Sequence, residues 1–189
     1  MSIFFIFILI IIAVIIAIFS INNKIIRNYN SAKQAWADVI ALERQKNKIL
    51  PEIEQIAKQY KEYESTILTN ITELRTTLNN LSLDSMDGNQ LKIAHNNTRS
   101  LLNNLYAVSE NYPDLTSSNL YNNLMKEIAE QQDNIGAGIR VFNRNVADFN
   151  TSIEVFPNSI VNEKFTKKSK INEFSDSEAE QGFEFKPNF

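Results

Sequence analysis

The 189-residue chain contains no cysteine and few glycines or prolines. Without cysteine, a disulfide framework, a thiol nucleophile, a cysteine-ligated zinc site and acylation of a lipoprotein cysteine are all excluded. Four glycines and four prolines are too few for the many turns of an all-β or doubly wound α/β fold. Helices are therefore the predicted secondary structure.

A single histidine, His95, and a slightly negative charge exclude further classes of function. One histidine cannot form a two-histidine zinc site or a di-iron bundle with paired Glu-x-x-His motifs, and we expect it on a helix face. The glycines are not spaced as in phosphate-binding loops. A net charge of -3 offers no excess of basic residues for nucleic acid. We therefore expect no nucleic-acid partner, no catalytic, cofactor or metal site, and a protein that is not an enzyme.

One long apolar run extends from Ile3 to Ile21, with Ser20 as its only polar residue. At about 1.5 Å per residue, a helix of this length nearly spans a hydrocarbon core of about 30 Å. Residues 1–22 are therefore predicted to form a transmembrane anchor in the lipid bilayer. A cleaved signal peptide is the alternative, but no basic residue precedes the run and the run is longer than a typical signal-peptide core.

The basic residues that flank the apolar run predict its orientation. Lys24, Arg27 and Lys33 all follow the run, whereas only Met1 and Ser2 precede it. Because lysine and arginine close to a span are retained in the cytoplasm, the pattern predicts a single-pass protein with a short outer N-terminus and a cytoplasmic domain.

After the run, apolar residues recur at alternating spacings of three and four, as in a heptad seam. Glu43, Lys46 and Glu64 are the polar interruptions of the seam. Pro51 lies within it, and because the seam keeps its phase across Pro51, we predict one helix over residues 23–81, kinked near residues 47–51. A true break is the alternative. The seam consists of Ile25, Tyr29, Ala32, Trp36, Val39, Leu50, Ile53, Ala57, Tyr60, Ile67, Ile71, Leu74, Leu78 and Leu81.

Two further helices are predicted beyond a polar loop at residues 82–89. The first ends before Pro113, and the second ends at Phe156 and Pro157. Whether these helices fold back on each other or run end to end is open. The fold class is all-α: an N-terminal transmembrane helix, then an elongated antiparallel bundle of three long, coiled-coil-like helices over residues 23–157. Residues 158–189 are expected to be a flexible tail.

Four blocks of residues have the composition and spacing of a known protein family. Their candidate interaction or structural residues are Tyr29, Asn30, Trp36, Arg44, Pro51, Tyr60, Glu64, Glu110, Tyr112, Pro113, Asn143, Asn150, Phe156 and Pro157. On these residues the chain resembles the LemA family of bacterial membrane-associated proteins. The resemblance covers nearly all of the chain beyond the anchor, although Tyr63 stands where the family usually has histidine.

The resemblance implies a location in the bacterial inner membrane and a long helical domain, but no defined activity. Together with the sequence pattern it favours a membrane-anchored, non-enzymatic scaffold that binds an unknown protein partner or forms a homo-oligomer. Relatives are linked to membrane-bound zinc proteases, so the alternative is an adaptor or regulatory subunit of a membrane enzyme such as a protease. If the apolar run is cleaved, a released extracellular protein is a third hypothesis.

Overall fold

A computed structural model describes residues 2–59, 61–116 and 118–175, and within these ranges the chain is helical without a β-strand. The all-α fold class is confirmed. The helices are α1 (Ser2–Gln45), α2 (Leu50–Ala57), α3 (Lys61–Asn80), α4 (Gly88–Asn111), α5 (Pro113–Thr116), α6 (Asn119–Glu154) and α7 (Asn158–Val161). A 3₁₀ turn (Lys46–Lys48) joins α1 to α2, and a π-helical turn (Asn162–Thr166) follows α7.

The antiparallel pair of α1 and α6 is the longest helix packing in the bundle. The Trp36 and Phe142 rings lie 5.2 Å apart, and the Tyr29 and Phe149 rings lie 5.4 Å apart. Gly138 permits this close approach, because a Cβ atom there would meet the side chains of Val39 and Leu42 at 3.2 and 3.1 Å. The predicted seam residues of α1 and the apolar residues of α6 that face them therefore form the core of the pair.

The single helix predicted over residues 23–81 is wrong. The 3₁₀ turn interrupts it close to the predicted kink. α3 then runs back beside α2 and reaches the end of α1, where the Ser82 carbonyl accepts a hydrogen bond from Trp36 Nε1 at 2.8 Å. In two antiparallel helices the heptad seam of each helix faces inward. The spacing of apolar residues can therefore continue unchanged even where the chain reverses direction. Pro51 lies in the first turn of α2, where a missing backbone N–H costs little.

The remaining reversals complete an antiparallel bundle of four long helical units: α1–α2, α3, α4 and α6. Asp87 caps α4 by accepting a hydrogen bond from the Asn89 N–H, and Ser118 caps α6 by accepting one from the Tyr121 N–H. Pro113 begins the short α5 between them. The chain therefore folds back after Pro113, which answers the question that the sequence leaves open.

Residues 158–175, which we call the C-terminal segment, pack against α1 and α6. Val161, Ile171 and Phe174 are buried there. The expected flexible tail from residue 158 thus does not describe this part of the chain, because its apolar side chains and backbone groups both find partners on the bundle. Residues 176–189 of the expected tail lie outside the described residues.

The N-terminal part of α1 has no packing partner in the described chain. Its apolar side chains from Ile3 to Phe19 are largely exposed, in contrast to the same helix beyond Ile25. Within the described ranges, one helix is long and apolar enough to cross a membrane, and it is this one.

Candidate functional site

Three asparagines bind backbone groups of the C-terminal segment, two from α6 and one, Asn162, from within the segment, and we call them the asparagine ladder. Asn143 accepts from the N–H of Phe174 and donates to its carbonyl, at 2.9 and 2.8 Å. Asn150 does the same with Ile171, at 3.0 and 2.9 Å, and Asn162 with Lys168, both at 3.0 Å. Each side-chain amide therefore makes the pair of hydrogen bonds that one residue of a neighbouring β-strand would make.

The spacing of the ladder follows from the geometry of helix and extended chain. Asn143 and Asn150 are two helical turns apart, about 10.5 Å at 1.5 Å per residue. Phe174 and Ile171 are three residues apart, about 10 Å in extended chain. The two repeats match, so an extended segment can align along α6 without strain.

Adjacent residues of α6 bind the segment and the core. Phe142 and Phe149 are buried against α1, whereas Asn143 and Asn150 each lie one position further on and are half-buried. One residue corresponds to about 100° around a helix, which directs the amides sideways to the C-terminal segment. The Phe-Asn pairs therefore join α1, α6 and the segment into one unit.

Two further contacts hold the segment in place. The Lys168 ammonium lies 3.9 Å from the centroid of the Tyr29 ring, a cation–π contact. At the other end, a Cβ atom on Gly88 would lie 3.0 Å from the Glu173 carbonyl oxygen, so glycine permits the segment to pass close to the start of α4. The segment thereby links α4 to the α1–α6 pair.

A buried ion pair lies in the four-helix part of the core. The Lys46 ammonium is 2.7 Å from Glu43 Oε2, and both side chains are 2% exposed. Lys46 Nζ also donates to Thr98 Oγ1 at 2.9 Å, and Thr98 donates in turn to the Ala94 carbonyl. Two of the three polar interruptions of the predicted seam, Glu43 and Lys46, are therefore inside the bundle and bind each other.

The described structure has a small cavity in the core and an open groove on the surface among its cavities. The cavity beside Lys46 measures about 10 Å³, which is room for about one water molecule. The groove between α3 and α4 measures about 180 Å³ and is lined by Thr77, Asn80, Leu81, Gln90 and Ile93. Within residues 2–59, 61–116 and 118–175, no three histidine or acidic side chains form a group that could hold a metal ion.

The structure brings only some of the candidate residues together. Tyr29, Asn143 and Asn150 contact the C-terminal segment, and Trp36 packs on Phe142 next to Asn143. Arg44 donates to the Leu81 carbonyl at 2.8 Å. The other candidates lie away from this cluster.

Most of these other candidates are exposed on the surface of the bundle. They are Asn30, Pro51, Glu110, Pro113, Phe156 and Pro157. Tyr112 is half-buried against the core. Tyr60 lies outside the described residues, and the side chain of Glu64 is not described.

Sequence reasoning missed the partners of the ladder on the C-terminal segment. The partners Ile171 and Phe174, and the ladder residue Asn162, all fall in the predicted flexible tail, although Ile171 and Phe174 are apolar residues spaced by three. That spacing was the available signal. It was weak because the ladder binds backbone groups, which every residue type supplies.

Replacement of Asn150 by alanine tests the ladder. Two hydrogen bonds are lost and the Ile171 backbone loses its partner, so we expect the free energy of unfolding to fall by about 1–3 kcal/mol. Amide hydrogen exchange should accelerate at Ile171. Asn145→Ala is the matched control on the same helix, because its amide makes only a 3.4 Å contact with the Ser31 carbonyl. Equal losses in both variants would contradict the ladder.

The protein is an antiparallel helical bundle whose first helix continues outward as an exposed apolar helix and whose C-terminal segment docks along the bundle. The LemA family model matches residues 35–185, and the chain belongs to the LemA family. It is similar to Protein LemA of Metamycoplasma hominis, with 32% identity over 143 residues. The alignment covers 76% of this chain and 64% of that relative, so the chain spans less than two thirds of the relative's length.

Proposed function

We propose that this LemA-family protein is a membrane-anchored, non-enzymatic scaffold that presents its helical bundle to a protein partner. The observation that carries the proposal is the continuity of α1, which runs as one helix from Ser2 to Gln45. Its first part exposes apolar side chains and its second part is core. A bundle attached through a continuous helix has a fixed orientation relative to its anchor, so it presents the same faces to a partner.

The orientation proposed for the scaffold follows from the charges next to the apolar part of α1. Lys24 and Arg27 are exposed directly after it. We propose that the bundle is cytoplasmic and the N-terminus external, in the inner membrane of a bacterium.

The surface proposed for a partner is the groove between α3 and α4. Ile93 lines it and is 54% exposed. Apolar side chains beside a groove are typical of protein-binding surfaces. A second copy of the chain and a membrane enzyme such as a protease are both candidate occupants.

Site-specific photocrosslinking in living cells tests the scaffold proposal. A photoreactive amino acid at Ile93 should give a discrete protein adduct. Val141 on α6 is the matched control, because it has the same 54% exposure but lies outside the groove. The Ile93 adduct should disappear when Asn80 in the groove is changed to arginine. Equal adducts from both positions, or none, would contradict the proposed surface.

The identity of the adduct distinguishes the forms of the proposal. An adduct of twice the chain mass would indicate a homo-oligomer, whereas a captured membrane protease would support the adaptor.

A cysteine introduced at Ser85 of this cysteine-free chain tests the orientation. Protection from a membrane-impermeant maleimide in intact cells is expected, and labelling from outside would overturn the cytoplasmic placement.

A further inference from the structure

Four exposed apolar residues cluster where α6 ends and the C-terminal segment begins. Phe156 is 80% exposed, Phe165 62%, Ile160 52% and Val155 45%. We call these four residues the proximal corner. Single exposed apolar residues are normal on a protein surface, but a concentration of four within eleven positions indicates a contact.

The register of α1 against α6 places the proximal corner at the end of the apolar part of α1. Asn28 Nδ2 lies 3.4 Å from the Asp148 carbonyl, and the two helices are antiparallel. Six residues further along, roughly 9 Å away, α6 ends at Glu154, close to the height of Asn22, and Phe156 follows two residues later, next to the end of the apolar run. Ser20 and Ile21 end the apolar run. Ile21 itself packs against the core, as expected if α1 meets the bundle at this height.

Basic residues surround the proximal corner. Lys24, Arg27 and Lys167 are exposed at this end of the bundle. Lys168 and Lys170 have other partners, the Tyr29 ring and the Glu154 carboxylate. Aromatic side chains flanked by lysine and arginine are typical of surfaces at the headgroup level of a bilayer.

We propose that the proximal corner enters the headgroup region of the same bilayer that α1 spans. This inference rests on the proposed membrane anchoring and adds a second contact to it. One helix alone leaves the bundle free to tilt about its exit point. A second contact on the neighbouring helix fixes the tilt and sets the distance of the α3–α4 groove from the membrane.

Depth-dependent fluorescence quenching tests the second contact. Single cysteines at Phe156, Ile11 and Ile93 of the full chain are labelled with an environment-sensitive fluorophore, and each variant is reconstituted into phosphatidylcholine vesicles. Doxyl groups are carried by the lipid either near the headgroup or near the chain end. Ile11 reports on the anchor, and Ile93 is the control because it is exposed and apolar but roughly 30 Å further along the bundle.

The expected pattern separates the two proposals. The probe at Phe156 should be quenched several-fold more strongly by the shallow doxyl lipid than by the deep one, Ile11 more strongly by the deep one, and Ile93 by neither. Quenching at Ile11 without quenching at Phe156 would overturn the second contact and leave the anchor intact. A blue-shifted Phe156 probe that lipid does not quench would indicate a protein contact and would also overturn it. No quenching at Ile11 would overturn the membrane anchor and the second contact with it.

Discussion

Replacement of Lys46 by methionine should lower the free energy of unfolding by about 3–5 kcal/mol. The Lys46 ammonium is the ionic partner of Glu43 inside the four-helix core, and both side chains are 2% exposed. Methionine has a similar length but no charge, so the variant leaves the Glu43 carboxylate buried without its cation. Urea denaturation of the full chain in detergent micelles, followed by far-UV circular dichroism, measures the loss.

Two further variants decide whether burial of an unpaired charge causes this loss. In the double variant Glu43→Leu/Lys46→Met both charges are removed, and most of the stability should return, because buried ion pairs are often replaceable by apolar residues of similar volume. Lys126→Met breaks an exposed pair with Glu130 and should cost at most about 1 kcal/mol. A double variant as unstable as Lys46→Met would show that the loss has another cause.

Replacement of Trp36 by alanine should cost about 3–5 kcal/mol. Trp36 is fully buried, packs on Phe142 of α6 and donates to the Ser82 carbonyl at the end of α3. One side chain therefore joins three elements: α1, α6 and the turn after α3. The same denaturation experiment measures the loss, and hydrogen exchange should also accelerate in residues 81–87, which keep the Arg44 hydrogen bond to α1 but lose the one from Trp36.

Two comparison variants test whether the loss of stability in Trp36→Ala comes from the buried position of the side chain and not only from removal of an apolar group. Trp36→Phe keeps an aromatic ring and loses the hydrogen bond, so its cost should be smaller, about 1–3 kcal/mol. Ile93→Ala removes an exposed apolar side chain and should change stability by no more than about 0.5 kcal/mol. If Trp36→Ala were as stable as Ile93→Ala, Trp36 would not be a core residue.

Much of the core was predictable because a heptad seam has the periodicity of a buried helix face. Trp36 lies on the predicted seam and is fully buried, and so are Phe142 and Phe149, which recur at a spacing of seven on α6. Apolar residues at the two ends of this part of the chain, Leu120 and Phe156, are exposed. At a helix end there is no neighbouring helix to cover the residue, and periodicity carries no information about where a partner stops.

The candidate site was only half predictable for a related reason. Asn143 and Asn150 were selected through the family resemblance, but nothing in their own pattern shows what they bind. A half-exposed asparagine is usually a solvent-facing residue. Its partners here are backbone groups of Ile171 and Phe174, and backbone groups leave no trace in a sequence.

By itself, the sequence determined the helical class, the apolar N-terminal segment and the inward face of each helix. These properties are local, since they depend on hydropathy and on residue spacing within one helix. Only the tertiary structure decided that the chain reverses between α2 and α3, that Glu43 and Lys46 pair inside the core, and that the C-terminal segment docks on the asparagine ladder. Each of these depends on contacts between residues distant in sequence or on the direction of a turn, and a heptad pattern is the same whichever way the next helix runs.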